Sequence, residues 1–418
     1  MTTIIVFSHF RWDFTYHRSQ HLLTRLAENY KIVFIEEPVF HDGDSFFETS
    51  ASGENVTVLK PHTPVTATGF HDEQLPHLIK LMRQLVVLDE EHIAWFFTPM
   101  ALPLLQELQP AAVIYDCVDE LSACKDSPRQ MLQRENALLK VADLVFSASP
   151  SLYRTKRERH SNVHCFPGSV ETIHFEQALD RSHTHPAHED VPGPRLGFYG
   201  VIDERIDMPL IEALAEAHPL WQIVMAGPIT SIDPVTLPKR HNIHYLGQQR
   251  YEALPHLLAG WNVCLLPFAL DESTHSASLD RILEYMAAGL PVVSTAIVDV
   301  MELYGDVVSV AGTHKEFVRA CEQALLTTPE ENKGQISRTK ELISATSWDT
   351  TAEKMHELIQ WTILQKDEQA PSVRACTGSL HSTCKSESAS AEDKHCVASN
   401  AQSREPVMAF RVDEGNAA

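Results

Sequence analysis

The chain has 418 residues and a formal net charge of −22, with a hydrophobic share of 44% that is ordinary for a globular protein. This length predicts two domains, since one core rarely grows past about 250–300 residues. The acidic balance argues against a nucleic-acid-binding protein, which usually has a basic face. No apolar run approaches the roughly 20 residues that span a bilayer. The start, MTTIIVFSHF, has no basic segment before a long apolar one. We therefore expect a cytoplasmic protein.

Strand and helix patterns alternate along the first half of the chain. Short apolar runs predict strands, and 3.6-residue periodicity predicts helices at 20–28 and 75–88. Such alternation predicts a parallel sheet with helices on both faces, in a Rossmann-like domain that spans 1–177. The predicted strands are 3–8, 31–35, 56–59, 93–97, 112–115 and 144–147.

The pattern breaks at 178–194, which is polar and contains Pro, Gly and three histidines. We interpret it as a solvated linker, although His183, His185 and His188 could also bind a metal. Alternation then resumes and predicts a second Rossmann-like domain over 195–348. Its predicted helices are 208–217 and 279–288, and its predicted strands are 195–199, 222–226, 243–245, 263–266, 292–294 and 307–310.

A helix is predicted at 349–364, and the remainder, 365–418, is a polar tail. We expect that tail to be disordered, because its composition buries too little apolar area to offset the ordering entropy. Three of the eight cysteines lie in it without a tight zinc-ligand spacing, so no metal site is predicted. The eight cysteines include no CxxC pair, which fits a reducing compartment.

The segment LEYMAAGLPVVST, at 283–295, is the most informative in the chain. It reads as a helix, a stop at Gly289 and Pro291, and a buried strand. Its single charged residue, Glu284, lies near the start of a helix beside a parallel sheet. There its carboxylate can bind a ribose diol while the helix N-terminus holds phosphate. The alternative is a structural carboxylate capped by water. The functional interpretation predicts a sugar-nucleotide site.

Several blocks of the sequence match a known family. The second half resembles retaining glycosyltransferases of family 4, which have the GT-B architecture of two tandem Rossmann-like domains facing across a cleft. The N-terminal blocks resemble a bacterial subset that assembles cell-envelope polysaccharides, of the teichuronic-acid type. The matching blocks are SHFRWDFTYHRSQHLLTRLA (8–27), VIYDCVDELS (113–122), LVFSASPSLYRTKRERHSNVHCFPGSV (144–170), GFYGVIDERIDMPLI (197–211), IVMAGP (223–228), NIHYLGQQRYEALPHLLAGWNVCLLPF (242–268) and LEYMAAGLPVVST (283–295).

The resemblance implies roles for individual residues in the second domain. Glu284 would hold the ribose of a nucleoside diphosphate sugar, and Gly200 would let the backbone approach this donor closely. The donor is most often a UDP-sugar in such enzymes, with no cofactor and no divalent metal. The other implied residues are Ser276 and Ser278 in the turn that presents N–H groups to the diphosphate, Arg205 and Arg281 as cations beside it, and Leu246 and Gly247 at the base.

The chain also departs from the family pattern at three positions. Ser276 stands where family 4 enzymes often carry a second glutamate, and Val201 stands where a basic residue is usual. Asp280 lies in the first turn of the predicted helix, where we expect its carboxylate to compete with a bound diphosphate. Arg205, in addition, has Asp203 and Asp207 as alternative ion-pair partners. These features favour a runner-up function: a GT-B protein that binds a nucleotide sugar or a partner enzyme with little or no catalysis.

In the first domain, charged residues follow two predicted strands at the edge where parallel sheets bind ligands. His17 and Arg18 are candidates for binding the acceptor or the donor phosphate, with a solvated loop as the alternative. Asp116 is a candidate for acceptor binding. Asp119 could act as a general base, or either aspartate could cap the next helix.

The basic residues Arg154, Lys156, Arg157 and Arg159 predict a solvated helical face that could touch anionic lipid at the inner face of the cell membrane. Taken together, these features predict a hexosyltransferase that acts on a saccharide or lipid-linked acceptor with retention of configuration. The predicted partners include no nucleic acid. A sugar-nucleotide epimerase on the same architecture fits the sequence blocks less well.

Overall fold

The computed structural model describes residues 1–85, 91–121, 129–270, 280–327 and 333–369, which belong to one compact unit over Met1–Gln369. The last helix of this unit runs to Gln369, so the tail predicted from 365 begins at least five residues later. The remaining residues, 370–418, lie outside the described part of the chain. None of the described helices is long and apolar enough to cross a membrane.

The first sheet has nine strands in the described residues, in the order β3-β5-β2-β1-β6-β7-β8-β9, with β4 paired to β5. All pairs are parallel except β4 with β5. The prediction missed β3, β4 and β9, because these strands are short or largely exposed and lack a buried apolar run. The strands are β1 (Thr3–Phe7), β2 (Lys31–Ile35), β3 (Val39–Phe40), β4 (Phe46–Ala51), β5 (Val56–Thr63), β6 (His92–Phe96), β7 (Ala112–Cys117), β8 (Leu144–Ser147) and β9 (Val163–Cys165).

Both faces of this sheet are buried. Alternate residues of β1 point to opposite sides, so Ile4 and Val6 belong to one core and Ile5 and Phe7 to the other. The early helices along this half are α1 (Arg18–Leu26), α2 (Leu75–Met82), α3 (Gln130–Val141), α4 (Pro150–Arg157) and α5 (Thr172–Phe175). The last helix of the described chain, α12 (Trp348–Gln369), returns to this sheet and packs beside α1. We call the first sheet with α1–α4 and α12 the N-terminal lobe.

The second sheet has six parallel strands in the described residues, in the order β12-β11-β10-β13-β14-β15. We call it, with α5–α11, the C-terminal lobe. Its strands are β10 (Arg195–Tyr199), β11 (Gln222–Ala226), β12 (Ile243–Gly247), β13 (Val263–Leu266), β14 (Val292–Thr295) and β15 (Ser309–Ala311). Its further helices are α6 (Met208–Ala217), α7 (Leu254–Ala259), α8 (Asp280–Ala287), α9 (Val298–Tyr304), α10 (His314–Leu326) and α11 (Lys333–Ser344).

The segment 178–194 is mostly exposed, as its polarity predicts, but a few of its residues are anchored in the C-terminal lobe. His188 is buried, and its Nε2 lies 2.9 Å from the Leu257 carbonyl oxygen. Val191 belongs to the C-terminal core, and Arg195 donates to the carbonyls of Val191 and His188. The segment is therefore packed on the C-terminal lobe. The described residues hold no cluster of three or more His, Cys, Asp or Glu side chains that could bind a metal.

The chain passes between the lobes twice. Phe166 packs against the core of the N-terminal lobe, and Val170, four residues later, lies in the core of the C-terminal lobe. The return passage leads from Ile343 in the C-terminal core to Trp348 in the N-terminal core. In both sheets the order of strands reverses at a central strand, β1 in the first and β10 in the second. Ligands of such sheets bind in the crevice at the carboxyl ends of these strands.

Candidate functional site

Glu284 lies at the carboxyl end of the second sheet and is in contact with the last residue of β10. Glu284 Oε2 accepts a short hydrogen bond from the Tyr199 hydroxyl. The carboxylate is buried, with only 8% of the residue exposed, and this burial raises the pKa of Glu284 to about 7. The neighbouring charge of Asp280 raises the pKa further, while Tyr199 and Arg281 oppose the shift. A ribose diol would therefore have to replace or join Tyr199 as the partner of this carboxylate.

Arg281 and Gly200 form the opposite wall of the same site. Gly200 follows β10 with φ +138°, a backbone conformation that favours glycine. A Cβ atom there would lie 2.5 Å from the Arg281 guanidinium carbon, so the glycine allows the guanidinium to lie against the strand end. Arg281 also lies 5.5 Å and 5.9 Å from the ring centres of Phe198 and Tyr199. These contacts hold a cation beside the backbone turn where a diphosphate is predicted.

Asp280 lies in the first turn of α8, as the sequence predicts, and its carboxylate has a partner outside this helix. Asp280 Oδ1 accepts a hydrogen bond of 3.1 Å from the backbone N–H of Ser169, in the first passage between the lobes. The charge of Asp280 also acts on Glu284, whose pKa it raises. The competition of Asp280 with a bound diphosphate stays a prediction, beside this observed contact with the interlobe passage. Sequence alone could not reveal this contact, because the two residues are 111 positions apart.

Leu246 and Gly247 end β12, next to the end of β11. Leu246 is half-buried on the C-terminal core, and Gly247 is exposed with open space around it. Gly227 N–H donates to the Gly247 carbonyl at 2.8 Å, and Gln249 Nε2 donates to the Leu246 carbonyl at 2.9 Å. The two residues thus form an accessible rim on the same sheet edge as Gly200, which is compatible with the predicted base position.

Arg205 forms an ion pair with Asp203, one of the two partners considered from the sequence. Its guanidinium contacts Asp203 at 2.7 Å, whereas Asp207 accepts hydrogen bonds from Leu210 N–H and His314. Arg205 also acts electrostatically on Asp119 of the N-terminal lobe, as does Arg281. Burial raises the pKa of the Asp119 carboxyl, and these two guanidinium groups oppose that shift. Asp119 therefore shares one electrostatic environment with the two predicted donor-site cations.

His17 lies at the start of α1, where its ring packs edge-on against Phe10 at 4.5 Å. Burial lowers the pKa of His17 to about 4, and the nearby charge of Arg281 contributes to that shift. The His17 ring is therefore a neutral imidazole close to the Arg281 guanidinium. This places His17 on the side of the N-terminal lobe that faces the C-terminal lobe. The structure thus brings His17 and Arg281 into one neighbourhood, and the acceptor-binding role of His17 stays a prediction.

Arg18 and Asp116 form a buried ion pair, with 3.3 Å between Arg18 Nη2 and Asp116 Oδ1. Arg18 Nη1 also donates to the Phe166 carbonyl at 2.9 Å. Asp116 is fully buried. The pair joins the start of α1, the end of β7 and the first interlobe passage. Its direct role in acceptor binding stays a prediction, and the geometry gives it a positioning role.

The helical face predicted to be basic and solvated is exposed at Arg154, Arg157 and Arg159, but Lys156 points inward. Lys156 is fully buried, and its Nζ donates at 2.7 Å to both Glu120 and Glu135. Arg159 pairs with Glu135 at 3.1 Å, and Arg154 pairs with Glu302 at 2.8 Å. Helical spacing alone did not show that Lys156 points inward. The network instead anchors Glu120, the neighbour of Asp119, beneath the interlobe region.

The structure therefore brings together Gly200, Arg205, Arg281, Glu284 and Asp119, with His17 nearby. Ser276 and Ser278 lie outside the described residues. Asp203, which the sequence analysis considered as an ion-pair partner of Arg205, joins this group, and Tyr199 is an additional member that the sequence analysis missed. The signal for Tyr199 was weak, since an aromatic residue at a strand end is common.

The family of glycosyl transferases group 1 matches residues 193–327, which include β10–β15 of the C-terminal lobe. A relative over most of the chain is TuaH, a Bacillus subtilis (strain 168) protein assigned to teichuronic acid biosynthesis as a glycosyltransferase. It is 24% identical over 320 residues, which are 71% of this chain and 78% of TuaH.

Two solved structures show the same fold. Sucrose-phosphate synthase from Thermosynechococcus elongatus has 15% identity and a TM-score of 0.68, with 87% of this chain and 100% of that chain covered. A trehalose-6-phosphate protein from E. coli, bound with UDP-2-fluoro glucose, has 12% identity and a TM-score of 0.60, with 85% and 99% covered. The C-terminal lobe thus carries the match to glycosyl transferases group 1, and the two lobes together have the GT-B architecture of these solved structures.

Proposed function

We propose that the protein transfers a hexose from a nucleoside diphosphate sugar to a saccharide or lipid-linked acceptor, with retention of configuration. The observation that carries this proposal is the arrangement at the end of β10. There the buried Glu284 carboxylate, the Arg281 guanidinium and the backbone at Gly200 meet. A carboxylate suits a ribose diol, and a cation beside an open backbone turn suits a diphosphate.

UDP-sugars are the first donors to test. The E. coli protein with the same fold is bound with UDP-2-fluoro glucose, and this supports a uridine nucleotide for the present chain. Leu246 and Gly247 would lie against the base, since they form the rim next to the strand that ends at Gly227. The Glu284 carboxylate would exchange its Tyr199 partner for the ribose hydroxyls.

The chemistry requires stabilisation of the leaving diphosphate. As the bond between the sugar C1 and the diphosphate oxygen breaks, negative charge grows on that oxygen, and fixed cations lower the barrier. We assign this role to Arg281 and Arg205 rather than to a divalent metal. The acceptor hydroxyl oxygen bonds to C1 on the face that the diphosphate leaves. Retention is supported by a trehalose-6-phosphate synthase of this fold that was solved to study glycosyltransfer with retention.

The acceptor proton needs a base. Asp119 is the candidate in the N-terminal lobe, because burial raises its pKa and Arg205 and Arg281 act on it electrostatically. In the retaining mechanism, the departing diphosphate oxygen could take the proton instead. A variant that replaces Asp119 with asparagine separates these routes, since only the first loses most of its turnover.

The acceptor class is proposed from the relative TuaH, which is assigned to teichuronic acid biosynthesis. A saccharide or lipid-linked acceptor in cell-envelope polysaccharide assembly follows from that likeness. Three of the four basic residues behind the predicted membrane contact form ion pairs, and contact with the inner face of the cell membrane stays a prediction. The cytoplasmic location remains a prediction.

The runner-up function, nucleotide-sugar binding without turnover, relied on Asp280 and Ser276. Asp280 accepts a hydrogen bond from Ser169, which removes part of the reason to regard the phosphate site as eroded. Ser276 lies outside the described residues. An assay of both nucleotide-sugar binding and product formation distinguishes the two functions.

The experiment is an assay of the purified full chain with UDP-, GDP- and dTDP-hexoses, against a panel of saccharide and lipid-linked acceptors, with and without EDTA. Release of free nucleoside diphosphate and a product of retained configuration by NMR would support the proposal. Thermal stabilisation by a nucleotide sugar without any product would support the runner-up instead. No stabilisation and no product with any donor would overturn both functions.

A further inference from the structure

We propose that Asp280 is a positioning residue that fastens the donor-binding helix α8 to the first interlobe passage. This inference rests on the proposed function, since it concerns how the nucleotide-sugar site is held. Asp280 is the first residue of α8, directly before Arg281 and four residues before Glu284. A constraint on Asp280 is therefore a constraint on the helix that carries both donor-site groups.

The contact between Asp280 and the passage is close. Asp280 Oδ1 accepts the Ser169 backbone N–H at 3.1 Å. Gly168 lies directly on the helix start, where a Cβ atom would be 2.7 Å from the Asp280 nitrogen and 2.9 Å from its Cα. Backbone atoms of the helix cannot move aside as a flexible side chain could. Gly168 therefore permits an approach that no other residue type allows at this point.

The passage is itself fixed to the N-terminal lobe. Arg18, buried in its ion pair with Asp116, donates to the Phe166 carbonyl at 2.9 Å. Ser169 Oγ lies 2.8 Å from Thr351 Oγ1 in the first turn of α12, just after the return passage. Ser169 thus contacts both α12, where the return passage ends, and the donor helix. A rotation of the lobes about these two passages would pull directly on the start of α8.

This geometry explains why an acidic residue is suited to a helix start beside an anionic ligand. The carboxylate is directed at the Ser169 N–H, and it also benefits from the positive end of the α8 dipole. Its function is then to align Arg281 against Gly200 and Glu284 against Tyr199 when the lobes are in contact. Without this contact, α8 would still form, but its position relative to the end of β10 would no longer be fixed.

Three variants test the proposal. Asp280→Asn keeps an oxygen that can accept the Ser169 N–H, whereas Asp280→Ala removes it, and Gly168→Ala pushes the passage off the helix. We expect Asp280→Ala and Gly168→Ala each to weaken UDP-glucose binding by about 10-fold and to lower kcat, because a hydrogen bond to a charged group is lost. Asp280→Asn should remain within about 3-fold of the wild type.

A matched control is Asp299→Ala. Asp299, at the start of α9, accepts hydrogen bonds from Ser151 N–H at 2.9 Å and Ser151 Oγ at 2.7 Å, and so also joins the lobes. It does not lie on the donor helix, so the variant should lose stability with little change in UDP-glucose affinity. Equal loss of affinity in Asp299→Ala and Asp280→Ala would overturn the proposal, as would tighter binding or unchanged kinetics in Asp280→Ala.

Hydrogen exchange of the ligand-free chain separates this inference from the proposed function. Asp280→Ala and Gly168→Ala should speed amide exchange in α8 and in 166–170, while Asp280→Asn should not. Unchanged exchange in the first two variants would overturn the positioning role. If the wild type binds no nucleotide sugar at all, the proposed function fails, and the exchange result still decides whether Asp280 fastens the helix.

Discussion

The Tyr199 hydroxyl donates a hydrogen bond to Glu284 Oε2, and this contact joins the end of the central strand β10 to the helix α8. Tyr199 is the residue before Gly200, and Glu284 lies one turn after the start of α8. The bond therefore lies at the point where the strand order of the second sheet reverses. Without a ligand, the Glu284 carboxylate thus has the Tyr199 hydroxyl as its hydrogen-bond partner. Ribose binding has to exchange this hydroxyl for one of the ribose.

Replacement of Glu284 with alanine should weaken UDP-glucose binding by about 10- to 100-fold, the range for a hydrogen bond to a charged group. Isothermal titration calorimetry with the full chain measures this directly. Tyr199→Phe is the matched control, because it removes the partner of the carboxylate and leaves the carboxylate in place. Affinity in Glu284→Ala equal to that of the wild type would reject the ribose assignment.

Glu284 should also make the folded state less stable as the pH rises. Its folded pKa, raised by burial to about 7, exceeds its ordinary value of 4.5, so the folded state holds the proton more tightly. Stability from this group is present below pH 4.5 and is lost as the pH rises to about 7. The wild type should therefore lose about 3 kcal/mol relative to Glu284→Gln across this range.

Urea unfolding of both proteins at several pH values checks this prediction. The difference between the two curves is the relevant quantity, because other groups titrate as well. Burial raises the pKa of Glu37 to about 7 and lowers that of His9 to about 3, and both effects cancel in the comparison. A difference that does not change with pH would show that Glu284 is ionised normally in the folded state.

Arg281→Ala should lower kcat by about 100-fold or more, since a fixed cation at the leaving group stabilises the transition state more than the ground state. Arg281→Lys should recover only part of the rate, because the planar contact with Phe198 and Tyr199 is lost. Steady-state kinetics with UDP-glucose and a saccharide acceptor measure both variants. A rise in KM with an unchanged kcat would show that Arg281 contributes uniform binding instead.

The buried pair of Arg18 and Asp116 should be costly to break on one side. Arg18→Met leaves the Asp116 carboxylate buried without this partner, which we expect to cost about 3–5 kcal/mol in urea unfolding. The double variant Arg18→Met, Asp116→Leu should recover much of that loss. A folded double variant with a normal KM for the acceptor would assign the pair to positioning, whereas a large rise in this KM would support acceptor binding.

Lys156→Met should destabilise the protein by a similar amount, about 3–5 kcal/mol, because Glu120 and Glu135 both lose this partner. Arg157→Met, on the exposed side of the same helix, should change stability by less than about 0.5 kcal/mol. Thermal or urea unfolding of the two variants provides the comparison. Equal stability of Lys156→Met and Arg157→Met would contradict the buried network.

Local patterns predicted most of the regular structure, whereas the donor-site residues that the resemblance implies stay predictions. The strands at 195–199, 222–226 and 263–266 have the predicted bounds, because buried parallel strands are continuous apolar runs with clear ends. The position of Glu284 on a helix beside the sheet also follows from such a pattern. In contrast, β4 is a polar edge strand, and its exposed FFETSA sequence gives no such signal.

The main errors concern contacts between residues far apart in the sequence. The partner of Asp280 is Ser169, the partner of Arg18 is Asp116, and Lys156 points to Glu135. Charge patterns along one helix cannot show which charges are compensated by another element. In the polar segment 178–194, the buried anchors His188 and Val191 were missed for a related reason, since they are isolated within a polar run.

The most direct test of the donor site is the electron density of the protein crystallised with UDP. We predict density for the ribose at the Glu284 carboxylate and for the diphosphate between the Gly200 backbone and Arg281. Ordered nucleotide bound elsewhere on the protein, with the contact between Tyr199 and Glu284 intact, would contradict the account.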